Sequence, residues 1–175
     1  MTNHDTLRIV FPTQSHQALC EAFIKEVKTH DNDFQATTGL ENMAFDAWLA
    51  RIKNYRRGLD LPKGFVPATT FLAIDNGWLV GFVSIRHELN PFLAHIGGHI
   101  GYMVHPEHRR KGYATKMLSL ALDYVRDACN LKAVLITCDQ ANEASKKTII
   151  KNGGVYEKTI HDHKHGIVEH YWVRL

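Results

Sequence analysis

The most informative stretch of this chain is His99-Ile-Gly-Tyr-Met-Val-His-Pro-Glu-His-Arg-Arg-Lys-Gly-Tyr-Ala114. Its apolar first part predicts a strand over about 98–104, which Pro106 ends. Three cations and a glycine follow at 109–112, and the amphipathic run after them predicts a helix over 111–129. The start of a helix exposes unpaired backbone N–H groups and carries partial positive charge. The turn therefore predicts an anion-binding site, with phosphate as the favoured ligand.

The composition is that of an ordinary globular protein. The 175 residues are 45% hydrophobic and 22% charged, which suits a single domain over 1–175 with a substantial core. A net charge of +3 does not favour a nucleic-acid partner. The sequence has no signal-like segment and no apolar run of about 18 residues, so we expect a cytoplasmic protein without a membrane partner.

The rest of the chain predicts alternating strands and helices. Strands are predicted at 7–11, 69–74, 78–87, 133–137, 155–160 and 167–175, and helices at 15–29, 41–57 and 142–151. Asn76-Gly77 between two apolar runs is a strong hairpin signal. The strand–helix–strand unit from 98 to 138 requires a right-handed crossover between parallel strands. We therefore expect an α/β fold, an α+β mixed sheet of about seven strands with helices on both faces.

With this order of elements and this turn, the chain resembles the GNAT superfamily of N-acetyltransferases. The family signature Arg/Gln-x-x-Gly-x-Gly/Ala stands here as Arg109-Arg-Lys-Gly-Tyr-Ala114, after the frequent lead-in Val104-His-Pro106. A second family pattern, Asn-x-x-Ala/Ser, stands as Asn142-Glu-Ala-Ser145. The resemblance covers residues 69–175 well and 1–68 loosely. It implies a GNAT-like fold in which the two central parallel strands splay apart.

The resemblance also implies acetyl-CoA (CoA) as the co-substrate. The cofactor-binding residues that the resemblance implies are Met103, Val104, Arg109, Arg110, Lys111, Gly112, Tyr113, Ala114, Thr115 and Asn142. The chemistry agrees, because backbone N–H groups and cations suit a pyrophosphate, and Gly112 lets the backbone approach it without a Cβ clash. A backbone N–H at Met103 or Val104 would also stabilise the oxyanion formed when an amine attacks the thioester. Asn142 has a second possible role as the N-cap of its helix.

The sequence does not identify the general acid that would protonate the departing sulfur. Many family members have a tyrosine that acts as general acid, seven residues after the asparagine of the second family pattern. In this chain that position is Ile149. Ser145, Tyr156 or a water molecule are the alternatives. A thiol has a pKa of about 8.5, so a thiolate can also leave without full protonation.

Three side chains are candidates for the general base: Glu88, His95 and His99. Histidine titrates near neutral pH, and His99 lies on the strand that carries the expected oxyanion site. Glu88 follows the strand at the point where the splayed sheet should open. The alternatives are that Glu88 pairs with Arg86 or caps the loop, and that His99 is a satisfied, buried side chain.

The favoured function is acetyl-CoA-dependent acetylation of a primary amine on an unknown acceptor, a small molecule or a peptide. The missing tyrosine favours an alternative, an acyl-CoA-binding sensor without turnover. A nucleotide-binding enzyme is disfavoured because G-x-x-x-x-G-K-[ST] and G-x-G-x-x-G are both absent. The histidines at 161, 163 and 165 fit a solvated hairpin better than a metal site, so no metal is predicted. The C-terminal strands are compatible with a homodimer.

Overall fold

The strands and helices follow one another in the predicted order. The structure, a computed structural model, describes residues 4–175. The strands are β1 (Arg8–Val10), β2 (Ala68–Asp75), β3 (Trp78–Arg86), β4 (Ile100–Val104), β5 (Ala133–Asp139), β6 (Val155–Asp162) and β7 (Gly166–Arg174). The helices are α1 (Gln17–His30), α2 (Phe45–Arg56), α3 (Tyr113–Ala128) and α4 (Glu143–Lys151), and a π-helical turn spans Leu93–Gly97. None of the helices in this part of the chain is long and apolar enough to span a bilayer.

The strands form two sheets that meet at the predicted splay. One sheet has the order β1-β2-β3-β4 and the other β5-β7-β6, and all of their ladders are antiparallel. The two sheets are joined at the start of β4, where the His99 N–H donates to the Leu135 carbonyl at 2.7 Å. Within residues 4–175 no ladder continues between β4 and β5. The expected mixed sheet is thus divided where its two central strands diverge, and α3 connects those strands.

The hairpin between β2 and β3 is built as the sequence predicts. Asn76 and Gly77 form a two-residue loop with φ of 48° and 83°. Positive φ at both central positions defines the turn whose twist matches that of antiparallel strands. This hairpin fixes the register of β3, and the ladder between β3 and β4 extends that register to the candidate site.

Helices cover both faces of the first sheet, as expected. On one face α3 packs on the sheet through a core that includes Met117, Leu118, Ala121, Leu122, Val125, Val83, Ile85, Ile100 and Val104. On the other face α1 and α2 enclose a second core that includes Phe23, Val27, Trp48, Ile52, Leu72, Phe82 and Met103. Because neighbouring residues of a strand point to opposite faces, each β4 residue belongs either to the α3 side or to the side of α1 and α2.

Candidate active site

The turn between β4 and α3 presents unpaired backbone N–H groups. Helix α3 begins at Tyr113, two residues later than predicted, because its N-cap Gly112 has φ of 90°, a conformation that favours glycine. The N–H groups of Tyr113, Ala114 and Thr115 therefore have no acceptor inside the helix. Gly112 brings no side-chain cap, and no side chain of residues 4–175 accepts from these groups. The turn has the donors that an anionic ligand requires.

The cations of this turn differ in their direction. Arg109 turns back to the protein, with Nη1 2.6 Å from Asp31 Oδ2 and Nε donating to the Val104 carbonyl at 3.2 Å. It thereby ties the end of α1 to the end of β4. Arg110 has φ of 60° and is exposed, next to the uncapped helix start. The Arg109 side chain therefore helps to shape the turn, and its role in cofactor binding stays a prediction.

His4 also lies at the turn, a residue that the sequence analysis did not identify. Its ring centroid is 4.1 Å from that of Tyr113, and its Nε2 is 2.5 Å from the Lys111 carbonyl oxygen. Tyr113 in turn donates its hydroxyl proton to Asp75 at 2.7 Å, and burial together with this carboxylate raises the pKa of Tyr113 to about 12. No local pattern predicts contacts between residues so distant in the chain.

The register of β4 decides which backbone groups face the gap beside β5. The Arg86 N–H donates to the His99 carbonyl and the His105 N–H to the Val80 carbonyl. In an antiparallel ladder hydrogen-bonded pairs alternate with non-bonded pairs. Residues 101, 103 and 105 therefore direct their ladder bonds to β3, whereas residues 100, 102 and 104 face away from it. His99 is divided, because its carbonyl accepts from Arg86 and its N–H donates to Leu135.

This register turns the backbone of Met103 away from the gap, which does not favour its predicted contact with the cofactor. Met103 is opposite Phe82 in a hydrogen-bonded pair, so its backbone N–H and carbonyl face β3 rather than the gap. Its buried sulfur accepts from the Gln35 N–H at 3.4 Å. The backbone N–H groups that face the gap belong to Tyr102 and Val104.

Three polar side chains meet where β4, β5 and α4 border the gap. The hydroxyl oxygens of Tyr102 and Ser145 lie 2.8 Å apart. The Cys138 thiol lies close by, and burial raises its pKa to about 11. Asn142 caps α4 through its Oδ1, which accepts from the Ser145 N–H at 3.0 Å. Ile149, on the same helix face one turn later, is fully buried in the core.

His99 is held in a tautomer that opposes a role as a base. Its Nδ1 accepts a hydrogen bond from the Leu135 N–H at 2.9 Å, so in the neutral ring the proton resides on Nε2. Burial lowers the pKa of His99, which keeps the ring neutral. His99 therefore presents an N–H donor and lacks a free lone pair, and we do not assign the general base to it.

The remaining candidates for acid and base lie at the ends of strands. Glu88 is exposed after β3, and it neither pairs with Arg86 nor caps the following turn. That cap is Asn90, whose Oδ1 accepts from the Leu93 N–H. His95 is half-exposed, with Nε2 3.4 Å from Asp162 Oδ2. Tyr156, on the edge strand β6, is bonded through its hydroxyl to Thr159.

One group of possible metal ligands lies close together within residues 4–175. The ligand atoms of Glu26, His105 and Glu107 are all within 4.8 Å of one another. The His105 Nδ1 accepts from the Glu107 N–H, so Nε2 carries the proton and faces Glu26 at 2.9 Å. A metal-bound imidazole instead donates from its second nitrogen. The group is therefore better described as an electrostatic contact between α1 and the turn.

The sequence and the fold agree on the family of this chain. A family profile described as "Acetyltransferase (GNAT) domain" matches residues 6–155. The chain belongs to the GNAT acetyltransferase family. A search of curated proteins found no match.

Solved structures share this fold over nearly the whole chain. RimL, a ribosomal-protein alpha-N-acetyltransferase in complex with coenzyme A, is 16% identical, with 98% of this chain and 95% of that chain covered and a TM-score of 0.69. MccE, a microcin self-immunity acetyltransferase with acetyl-CoA and AMP, is 15% identical, with 98% and 93% covered and a TM-score of 0.71. A chimera of the Vibrio cholerae spermidine N-acetyltransferase SpeG with hSSAT is 16% identical, with 97% and 96% covered and a TM-score of 0.66. At these identities the likeness concerns the fold.

Proposed function

We propose that this protein transfers the acetyl group of acetyl-CoA to a primary amine of a small molecule or peptide. The observation that carries the proposal is the uncapped start of α3 at the end of β4, beside the gap between β4 and β5. A pyrophosphate needs such donors, and the N–H groups of Tyr113, Ala114 and Thr115 supply them next to Arg110. Relatives in complex with coenzyme A and with acetyl-CoA support the same ligand.

The gap fits the arm that links a pyrophosphate to a thioester. An extended amide-containing chain can pair with the backbone groups of β4 that face away from β3, which are those of Tyr102 and Val104. The Val104 carbonyl is already used by Arg109, which leaves its N–H for a ligand. In this proposal one of the two N–H groups binds the thioester oxygen and stabilises the oxyanion after the amine attacks.

The reaction breaks the carbon–sulfur bond of the thioester and forms an amide. The amine loses a proton and the departing sulfur gains one. We propose Glu88, an exposed carboxylate that forms no hydrogen bond or salt bridge within residues 4–175, as the residue that directs the amine proton to solvent. Ser145 hydrogen-bonds the sulfur, with Tyr102 behind it, and Asn142 contacts the pantetheine. A phenol of pKa about 12 stabilises a thiolate by hydrogen bonding more readily than by complete proton transfer.

Calorimetric titration with CoA tests the cofactor site. Gly112→Glu places a negative charge beside the expected pyrophosphate at a backbone position with φ of 90°, and should abolish CoA binding. Gly64→Glu is the matched control, because Gly64 has a similar φ of 84° and open space around it. Unchanged CoA affinity in Gly112→Glu would refute the placement. ATP should raise the melting temperature less than CoA does.

A second candidate function is an acyl-CoA sensor without turnover. The buried Ile149 favours it, because the usual acid position has no polar group. Release of free thiol from acetyl-CoA in the presence of amines, peptides and polyamines distinguishes the two functions. Tight CoA binding without thiol release on any acceptor favours the sensor, and acceptor-dependent release favours the enzyme.

A further inference from the structure

The Arg86 guanidinium has no partner within residues 4–175. Arg86 ends β3, and no side chain or carbonyl of this part of the chain forms a hydrogen bond or ion pair with its guanidinium. The side chain is only partly exposed, and burial lowers the pKa of Arg86. A charge withdrawn from water without a counter-ion is costly. An unpaired guanidinium in such a place indicates an anionic partner outside the described chain.

The guanidinium lies over Gly101 of β4. A Cβ added at Gly101 would be 3.1 Å from Arg86 Nη1, closer than ordinary contact. The missing side chain at Gly101 therefore makes room for the guanidinium on the surface of the sheet. A Cβ alone would require the guanidinium to shift by a few tenths of an ångström, and a larger side chain at Gly101 would displace it further.

Two more donors lie on the same face of the sheet. Ser84 is opposite Gly101 in the ladder, and His99 is opposite Arg86. Directly opposed residues share a face, as do residues two apart in one strand. Ser84 is a buried residue whose hydroxyl keeps some contact with solvent and has no protein partner within residues 4–175, and His99 presents its Nε2 proton. We call Ser84, Arg86, His99 and Gly101 the Arg86 patch. Its polar side chains supply donors, and no carboxylate.

The Arg86 patch lies beside the gap in which we propose that acetyl transfer occurs. His99 marks the point where β4 and β5 diverge. The patch is on the face of the sheet opposite the α3 core, since Gly101 and Met103 share that face. The loop between α1 and α2 borders it, because the Thr38 hydroxyl is 2.6 Å from that of Thr70, the neighbour of Ser84 on β2.

We propose that the Arg86 patch binds a carboxylate of the acceptor, so that the preferred acceptors are amines that carry a carboxylate near the reacting nitrogen. A guanidinium binds both oxygens of a carboxylate at once, and the hydroxyl and imidazole N–H complete the recognition. A polyamine has no group for this patch and is repelled by Arg86. This inference rests on the proposed acetyl transfer, and it adds the chemical class of the acceptor.

Matched acceptors test the inference. Two hexapeptides with free N-termini, identical except for aspartate or asparagine at the second position, are compared at saturating acetyl-CoA by thiol release. 4-Aminobutyrate and 4-aminobutanamide form a second pair, with and without a carboxylate on a small amine, which distinguishes a small acceptor from a peptide. We expect kcat/KM for the acidic member of one pair to exceed that of its amide by about 10- to 100-fold, as for a hydrogen-bonded charge.

Variants connect this preference to the Arg86 patch. The ratio of kcat/KM for the acidic acceptor to kcat/KM for its amide should approach one in Arg86→Gln. It should persist in part in Arg86→Lys, which keeps the charge but not the planar guanidinium. Arg57→Gln, at an exposed helix end, is the control that should keep the full ratio. If Arg86→Gln does not fold, Gly101→Val, whose branched side chain would occupy the space of the guanidinium, replaces it. An equal rate for the acidic and amide members, or a ratio unchanged in both variants, overturns the inference.

Measurements of acceptor binding distinguish a failure of this inference from a failure of the proposed acetyl transfer. If no acceptor is acetylated, the same ligands are titrated calorimetrically into the CoA-loaded protein. Tighter binding of an acidic ligand that Arg86→Gln abolishes supports the Arg86 patch, and the failure then concerns the acetyl transfer. Equal binding of the acidic and amide ligands overturns the patch.

Discussion

The hydroxyl oxygens of Tyr102 and Ser145 lie 2.8 Å apart, between β4 and the first turn of α4. Burial raises the pKa of Tyr102 to about 12, so the phenol is protonated at neutral pH. When Tyr102 donates to Ser145, the serine proton is free to point into the gap. This pair lies one helical turn from Ile149, where many family members have tyrosine, and supplies a hydroxyl near the same place.

The first prediction concerns this hydroxyl pair. Ser145→Ala should lower kcat by about 100-fold, which is within the range of rate losses seen when a proton donor is removed. Tyr102→Phe should lower kcat less. Because the two act in series, the double variant should be no slower than Ser145→Ala. CoA affinity, measured separately, should change little. A wild-type kcat in Ser145→Ala would exclude the role.

The second prediction concerns His99, which we expect to support the fold rather than to accept a proton. His99→Phe keeps a ring but leaves the buried Leu135 N–H without its acceptor. The free energy of unfolding should fall by about 1–3 kcal/mol, the cost of an unsatisfied buried donor. Urea unfolding measures this as a lower midpoint at an unchanged slope. If His99 were the base, the variant would instead lose the acidic limb of the pH–rate profile.

The third prediction concerns stability in acid. Hydrogen bonds from Thr6 and then from Tyr113, opposed by burial, lower the pKa of Asp75 below its usual 3.8. A carboxyl with a lowered folded-state pKa stabilises the protein fully above its unfolded pKa, and this contribution is lost as the pH falls through the folded value. Unfolding free energies between pH 7 and pH 2.5 should therefore decline below about pH 4.

Asp75→Asn provides the comparison for that acid dependence. It should be less stable than the wild type at pH 7 by about 2 kcal/mol, since hydrogen bonds to a charged group are replaced by weaker ones. The difference between the two proteins should shrink as the pH falls. A constant difference over the whole range would contradict the role of the Asp75 charge.

The fourth prediction separates two neighbouring arginines. Arg110→Gln should weaken CoA binding by about fivefold at low salt, as for one partly exposed charge contact, and less at high salt. Arg109→Gln should act mainly on stability, by up to about 1 kcal/mol, because its guanidinium pairs with Asp31. Titrations at two salt concentrations and urea unfolding of both variants test this. Equal salt-dependent losses of CoA affinity would show that both side chains reach the phosphates.

Local sequence was sufficient for most of the fold and for the turn between β4 and α3 that presents unpaired N–H groups. Asn76-Gly77 has the conformation that its residue types favour, and the period of the apolar residues placed α3 to within two residues. Gly112 could be recognised from the motif at the start of that helix, and its positive φ agrees with the choice of glycine there. Such features depend on a few consecutive residues, and the physical chemistry of a turn or a helix start is local.

The orientation of the site residues depended on residues distant in the chain. Asp31 decides where the Arg109 guanidinium points, and the Leu135 N–H decides which nitrogen of His99 carries the proton. The pairing of β4 with β3 decides that Met103 turns its backbone away from the gap. Hydrogen-bond partners of this kind are set by the packing of separate elements, and no periodicity within one segment encodes them.

The sequence by itself determined the order of the elements, the hairpin and the turn that presents free N–H groups at α3. The tertiary structure decided that Tyr102 meets Ser145 and that Arg86 lies over Gly101 with no counter-ion among residues 4–175. The physical reason is that backbone conformation follows from local residue types, whereas burial and the pairing of charges arise only when strands and helices from the whole chain pack together.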